Sequence, residues 1–251
     1  MSIRMRLAAI ACLAFFPMAG SAVGKEPDSH WLRARITLDA AGKLGSIEWF
    51  DIKPSVITAA LEGEVRKWEF VPAMVEGVAV PTQTGLLLQV NVSRMSNGLA
   101  LSIGTARTGA ISDRQSPPRY PPTQAKKGAE GQVVMDIRTD EAGKPTSIVT
   151  TDFQSTSKSA SAREDFETAA MAAAKTWTFH TEQVGGKNQS AHMRVPVSFC
   201  MSDKCLRQFA RQLEEGSESR LGKGTQDLPQ GMAIALDSAV KIKTRTSQVE
   251  I

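Results

Sequence analysis

Histidine and cysteine are scarce in this chain: three of each among 251 residues, with a single tyrosine and aromatics at 6%. So few soft donors leave little material for a metal cluster, since a structural zinc alone needs four ligands. The leading apolar run, Leu7 to Phe16, is ten residues long, about half of the roughly 20 that a membrane-spanning helix requires. Neither sign of charge dominates. Lys+Arg number 30 against 26 Asp+Glu, and the loss of Arg4 and Arg6 with a leader lowers the net charge from +4 to +2. Nucleic-acid binders concentrate positive charge on one face, so that class is excluded. No H-E-x-x-H or G-x-S-x-G motif occurs, and Gly222-Lys-Gly-Thr225 lacks the spacing of a phosphate-binding loop. The expectation is a protein that is not an enzyme, with no catalytic residue, metal or cofactor. An enzyme would need titratable groups gathered around His30, His180 or His192. What the chain does have is 41% apolar and 22% charged residues, ordinary for a folded protein with one large or two small cores.

The first 24 residues carry Arg4 and Arg6, the apolar Leu7–Phe16, and then Pro17-Met-Ala-Gly-Ser-Ala22-Val-Gly24 before the polar Lys25. A basic start, a short apolar centre and small residues describe a signal peptide cleaved near Ala22 or Gly24, so export is the expectation. An uncleaved leader anchoring the chain in the inner membrane is the alternative. Loss of the leader removes Cys12 and leaves Cys200 and Cys205, spaced C-x4-C around Met201–Lys204. Export to an oxidising compartment makes a disulfide the expectation. Free thiols and a zinc site recruiting His192 stay open as alternatives.

Self-similarity organises the middle of the chain. Leu32-Arg-Ala-Arg-Ile-Thr-Leu-Asp39-Ala-Ala-Gly42-Lys43 aligns, 101 residues later, with Val133-Val-Met-Asp-Ile-Arg-Thr-Asp140-Glu-Ala-Gly143-Lys144. Both alternate apolar and polar residues and then reach D-x-A-G-K, a strand running into a tight turn. The returning strands are predicted at Leu44–Phe50 and Thr146–Phe153. Farther on, Ala59–Phe70 aligns with Thr168–Phe179, the later copy having gained a longer polar loop, Gln154–Ser161. Ile57, Leu61, Val65 and Trp68 form one helical stripe, and Phe166, Ala170, Ala173 and Trp177 another. Ser161-Ala-Arg-Glu164 has the spacing of a capping box. Trp68, Phe70, Trp177 and Phe179 are expected to anchor helix to sheet. A turn and a final strand follow each Trp-x-Phe, with Leu86, Leu88 and Val90 in the register of Val195, Val197 and Phe199. The predicted fold is α+β: two tandem β-β-α-β units, each a three-stranded antiparallel sheet with a helix on one face.

Ahead of the second unit stands Ser116-Pro-Pro-Arg-Tyr120-Pro121-Pro-Thr-Gln-Ala125-Lys-Lys-Gly128-Ala-Glu130-Gly131-Gln-Val133. This Y-P-x(3)-A-x(2)-G-x-E-G-x-V pattern, the D-x-x-G turn, a helix ending A-x-x-W-x-F, then G-G and V-P-V-x-F, resembles the C-terminal domain of the TonB energy-transducer family over about 117–199. The region 31–92 resembles a degenerate second copy lacking the Tyr-Pro lead-in. The resemblance implies a periplasmic module that grips an extended segment, the TonB box, of an outer-membrane receptor and serves TonB-dependent transport. It makes Tyr120, Pro121, Arg194, Val195, Val197 and Phe199 the candidate contacts, with Tyr120-Pro121 as a packed lead-in the competing reading. The strand Met193–Phe199 is expected at a sheet edge, where exposed backbone groups accept an incoming strand. Pro196 removes one donor there.

The expected organisation is a signal peptide at 1–24, a degenerate repeat at 25–93, a linker at 94–116, the TonB-like domain at 117–205 and an extension at 206–251. A full transducer also needs a membrane helix and a long Pro-rich spacer, and neither is recognisable here. A structural or envelope-binding module, holding peptidoglycan or another protein, is the rival function. Exposed edge strands also suit pairing of two copies as a homodimer.

Overall fold

The computed structural model describes residues 28–95, 98–205, 209, 232–246 and 248–249. The expected leader, Cys12, most of the segment 206–231 and Gly222–Thr225 lie outside these residues. Among the described residues no helix is long and apolar enough to cross a membrane.

The chain begins with a hairpin, β1 (Asp28–Leu38) and β2 (Leu44–Trp49), followed by helix α1 (Val56–Val65) and the three-residue strand β3 (Glu69–Val71). A small hairpin, β4 (Met74–Val75) and β5 (Val78–Ala79), leads into the long strand β6 (Thr82–Met95), which pairs antiparallel with β1. β7 (Gly98–Gly109) returns along β6, and β8 (Ile111–Arg114) follows. A single-turn helix α2 (Pro122–Lys126) precedes a second hairpin, β9 (Gly131–Thr139) and β10 (Pro145–Ser155), then helix α3 (Ala160–Ala174) and β11 (Thr178–His180). The hairpin β12 (Gln183–Val184) and β13 (Lys187–Asn188) leads to β14 (His192–Phe199) beside β9. Three short strands close the fold: β15 (Ile234–Ala235), β16 (Lys241–Thr244) and β17 (Gln248–Val249).

The architecture is mixed α+β, rich in strands and poor in helix. The order β2-β1-β6 in one sheet and β10-β9-β14 in the other puts the long strand that follows the small hairpin beside the first strand of the large one each time. The sheets are larger than the predicted three strands. The first takes in β7, β12, β13 and β17, and the second takes in β15. Residues 94–116, expected as a linker, are instead largely β7 and β8. Leu101 and Ile103 are buried in the first core, so their alternation is that of a strand with one face covered. The expected extension likewise contributes β15, β16 and β17 to pairings with β14, β3 and β7.

Each helix rests on its own sheet. Leu61, Val65, Trp68 and Phe70 join Ile36 and Leu88 in one core, while Phe166, Ala170, Trp177 and Phe179 join Val133, Ile137 and Val195 in the other. The four aromatic anchors are 3–4% exposed. The small Ala162, Ala170 and Ala174 let α3 lie close to its sheet, and Phe166 fills the space left beside them. Its ring packs edge-on to Tyr120 at 5.8 Å and tilted against Phe199 at 4.8 Å.

Both D-x-A-G-K turns depend on their glycine. Gly42 and Gly143 have φ +77° and +76°, and a Cβ there would strike the carbonyl oxygens of Phe70 and Phe179. The turn is thereby locked under the Trp-x-Phe segment, with Phe179 N–H donating to Gly143 O at 3.0 Å.

The capping box falls on the first helix. Ser55 Oγ accepts from Thr58 N–H at 3.3 Å and Thr58 Oγ1 accepts from Ser55 N–H at 2.7 Å. α3 starts at Ala160 with Ser159 as its N-cap, and the Ser159 hydroxyl pairs with Ser161 Oγ at 2.8 Å. Ser161 is therefore inside the helix, and the box expected of Ser161 and Glu164 is not formed. Cys200 and Cys205 form a disulfide.

Replacing Phe166, fully buried, by alanine should lower unfolding free energy by about 3–5 kcal/mol, read as a shifted urea midpoint at unchanged slope. A loss under about 1 kcal/mol would contradict its role as the plug between helix and sheet.

Candidate functional site

The β14 strand pairs with β9 from His192↔Arg138 to Phe199↔Gly131. Backbone groups of successive residues turn to opposite sides of a strand, so two hydrogen bonds fix the phase. Thr139 N–H donates to Ala191 O at 2.9 Å, toward β9, and Leu236 N–H donates to His192 O at 2.8 Å, away from it. Met193, Val195, Val197 and Phe199 therefore spend their backbone groups on β9, while Arg194, Pro196 and Ser198 turn theirs outward. Proline has no N–H, so position 196 can only be one of the outward ones. The outer rim thus presents Pro196 C=O and both backbone groups of Ser198.

This phase rearranges the expected contacts. Val195, Val197 and Phe199 are 0–4% exposed and belong to the core; neither their side chains nor their backbone faces outward. Ser198, within the candidate segment Arg194–Phe199, does, in phase with Pro196 two residues before it. Arg194 faces outward but makes a two-pronged pair with Asp136, at 2.7 and 2.9 Å. That pair, above all its hydrogen bonds, pushes the guanidinium pKa up from its ordinary value. His192 Nε2 stands 3.6 Å from Asp136. Tyr120 and Pro121 form a packed lead-in. The Tyr120 hydroxyl donates to Ala129 O at 2.6 Å, its ring lies edge-on to Phe199 at 5.7 Å, and Pro121 is buried. Pro121 is consequently out of a partner's reach, because its carbonyl receives the N–H groups of Gln124 and Ala125 to start α2.

The rim is not open along its whole length. β15 pairs with it at Met193↔Ala235 and Arg194↔Ile234, which corrects the expectation of a free edge from Met193 onward. Among the described residues no strand pairs with the outer side of Pro196–Phe199. There a cavity of about 260 Å³ opens between Val197 and Ser198 on one wall and Gln115–Pro118 and Trp177 on the other. The indole N–H of Trp177 is held by Ser116 O at 2.9 Å. Gln115 Nε2 is buried without a hydrogen-bond partner.

Behind this rim the two sheets meet around a buried carboxylate. Glu182, 6% exposed, accepts from the Thr84 hydroxyl at 2.5 Å, the Ser238 hydroxyl at 3.1 Å and Ala239 N–H at 2.8 Å. Sequence reasoning missed it because its partners lie 98, 56 and 57 residues away. Nearby, His180 stacks on Phe50 at 5.0 Å, receives Arg35 Nη2–H on Nδ1 at 3.1 Å and sets Nε2 3.3 Å from Asp113. That geometry wants the neutral ring with its proton on Nε2. Burial, with Arg35 and Arg33 adding to it, lowers the His180 pKa against the opposing pull of Asp113 and Glu48. His30 lies in β1, His192 in β14 and His180 in β11. Among the described residues no group of three or more His, Cys, Asp or Glu could hold a metal.

The family model described as "Gram-negative bacterial TonB protein C-terminal" matches residues 116–201. Proteins named "Protein TonB" from two strains of Xanthomonas campestris pv. campestris are each 34% identical to the chain over 91 residues. The aligned region is 36% of this chain and 38% of the length of each relative, so the chain spans well under half of them. No solved structure matches.

Two outcomes follow from the junction. Glu182→Ala strips acceptors from a buried hydroxyl and a backbone N–H, and should cost about 2–4 kcal/mol in urea unfolding, with Glu182→Gln closer to wild type. Because the folded state lowers the His180 pKa below its ordinary value of about 6.5, the unfolded chain binds more protons there. Its contribution to stability is complete above that value and is lost as pH falls from there through the lower folded-state value. Thermal midpoints compared at pH 7.5 and pH 5 should differ less in His180→Gln than in wild type; an unchanged difference would remove His180 from the cause.

Proposed function

We propose, on the premise that residues 116–201 are a TonB C-terminal domain, that this protein is a periplasmic binding module taking an extended segment of an outer-membrane receptor onto the outer rim of β14. One observation carries the reading: Pro196 and Ser198 turn their backbone groups away from β9, and no described strand meets them. The region matched by the family model ends with this same strand. A strand added there gains main-chain hydrogen bonds and makes little demand on side-chain chemistry, which suits recognition of many related segments. The cavity beside Val197 and Ser198 supplies room for one side chain of the incoming strand. In this reading the protein is a binding partner in TonB-dependent transport, not an enzyme.

The region 31–92 reads as a second, degenerate copy. β3 pairs with β16 in the same register as β11 with β8, and the irregularity falls at the same step of each pairing: Phe70 faces Ile242 and Phe179 faces Ser112. In that copy the strand equivalent to β14 is β6, and its outer side is taken by β7 over ten paired positions from Gly85 to Met95. The outer side of β6 is therefore closed to a receptor segment from Gly85 to Met95.

Titration of the ¹⁵N-labelled protein with synthetic TonB-box peptides should move the amide signals of Val197 to Phe199. Unchanged signals there at millimolar peptide would overturn the reading. Ser198→Pro is the sharper variant. The Ser198 N–H is not spent on β9, but its hydroxyl accepts from the buried Gln132 Nε2–H at 2.9 Å, so the variant should fold with stability lowered by about 1–3 kcal/mol. It should bind the peptide about tenfold more weakly, having lost one outward donor.

A further inference from the structure

The stretch that covers the start of the β14 rim is Met232-Ala-Ile-Ala-Leu236, and it is seated in a slot with two walls. One wall is the rim itself, bonded through Leu236 N–H to His192 O and in register at Arg194↔Ile234. The other is the face of the first sheet. Ile234, 3% exposed, packs there with Leu87, Trp31 and Met232. Ala235 meets Gly109 so closely that a Cβ on that glycine would collide with the Ala235 side chain. Ala233 is buried in the second core. Only Leu236, 41% exposed, points its side chain to solvent. Downstream the segment is fastened by Ser238 and Ala239 on Glu182.

The chain thus performs on itself the strand addition that the rim would offer a partner, and both sheets read the added strand. We propose that residues 232–236 are an internal stand-in that exchanges with a partner strand, and that the slot selects a small–branched–small apolar pattern. The inference rests on the reading above, that the β14 rim receives a partner segment. The branched side chain goes between Leu87 and Trp31, in the place of Ile234. The next position must be alanine or glycine, because the Gly109 backbone leaves no volume for more. One strand leaves as another enters, so the ladder bonds and the buried apolar area are conserved, and the rate is set by how often residues 232–236 lift off. The first sheet acquires a role here that the β14 rim alone does not supply: it reads the side chain at the Ile234 position.

The probe is a labelled peptide with the chain's own sequence 232–238, Met-Ala-Ile-Ala-Leu-Asp-Ser, added to the full-length protein. Saturable binding should shift the amides of His192 to Arg194, and the observed rate should reach a plateau as peptide concentration rises. The peptide carrying Ala235→Phe should bind at least about tenfold more weakly. Leu236→Pro in the protein removes the N–H that holds His192 O at an exposed side-chain position, and should raise the plateau rate about tenfold. No binding at millimolar peptide, or equal binding of the phenylalanine peptide, would sink the proposal. TonB-box peptides that shift Val197–Phe199 and leave residues 232–236 untouched would also overturn the exchange, with the receptor-binding reading intact. Exchange of the 232–238 peptide in a protein that no TonB-box peptide binds would overturn that reading and leave the slot standing.

Discussion

The three-residue strand after each helix has backbone groups that its own sheet does not satisfy, and the rest of the molecule is arranged around supplying them. β3 finds β16 and β11 finds β8: each is completed by the segment that follows the other half's sheet. Buried backbone donors and acceptors left without partners are costly, so this requirement is strong. It also fixes what surrounds it. Phe70 and Phe179 sit on these strands, with their side chains in the two cores and their carbonyls over Gly42 and Gly143. The hairpin turn, the helix anchor and the crossing strand are therefore one unit in each half. The buried Glu182 sits where the crossing segments pass, drawing donors from β6 and from the segment before β16.

A sheet edge is a template for any extended chain, and the outer sides of β6 and β14 are dealt with differently. β7 runs beside β6, so that edge is closed by sequence-adjacent chain. The β14 edge is half closed by β15, and the remaining half contains a proline facing outward, which thins the row of donors without ending it. What is left among the described residues is a short open rim in place of a long one. Its information lies in the backbone, and the neighbouring side chains, Val195, Val197 and Phe199, are committed to packing.

Much of this was legible in the amino-acid order because it is local. Alternation into D-x-A-G-K marks a hairpin, a stripe at helical spacing marks a helix, and Trp-x-Phe marks where helix meets sheet. The paired disposition of Gly42 and Gly143 follows from a motif only a few residues long. What escaped is non-local. Residues 98–109 are rich in Gly, Ser and Thr and read as a linker, although Leu99, Leu101 and Ile103 alternate as a strand should. β15, β16 and β17 are two to four residues long, too short to show a period, and exist only because distant backbone awaits them. At the site, the rim was found through Pro196 and the family-like V-P-V-x-F. The choice of residues erred because core-facing Val195, Val197 and Phe199 carry the visible pattern, whereas the exposed groups of Ser198 are main chain.

The pairing of β3 with β16 has a consequence for how the molecule is assembled in time. A chain is made from its N-terminus, yet the strand that completes the first half is residues 241–244, far downstream of the Glu69–Val71 it pairs with. The early half can form its hairpin and helix but must wait, with part of its backbone and the Val240 and Val249 sites of its core unfilled, until residues 240–249 have been made. Contacts of such long sequence separation slow folding and expose unfinished surface to aggregation. The protein is thus a case in which a late segment sets when an early one becomes stable, and a nascent chain stalled before residue 240 would be a client for chaperones.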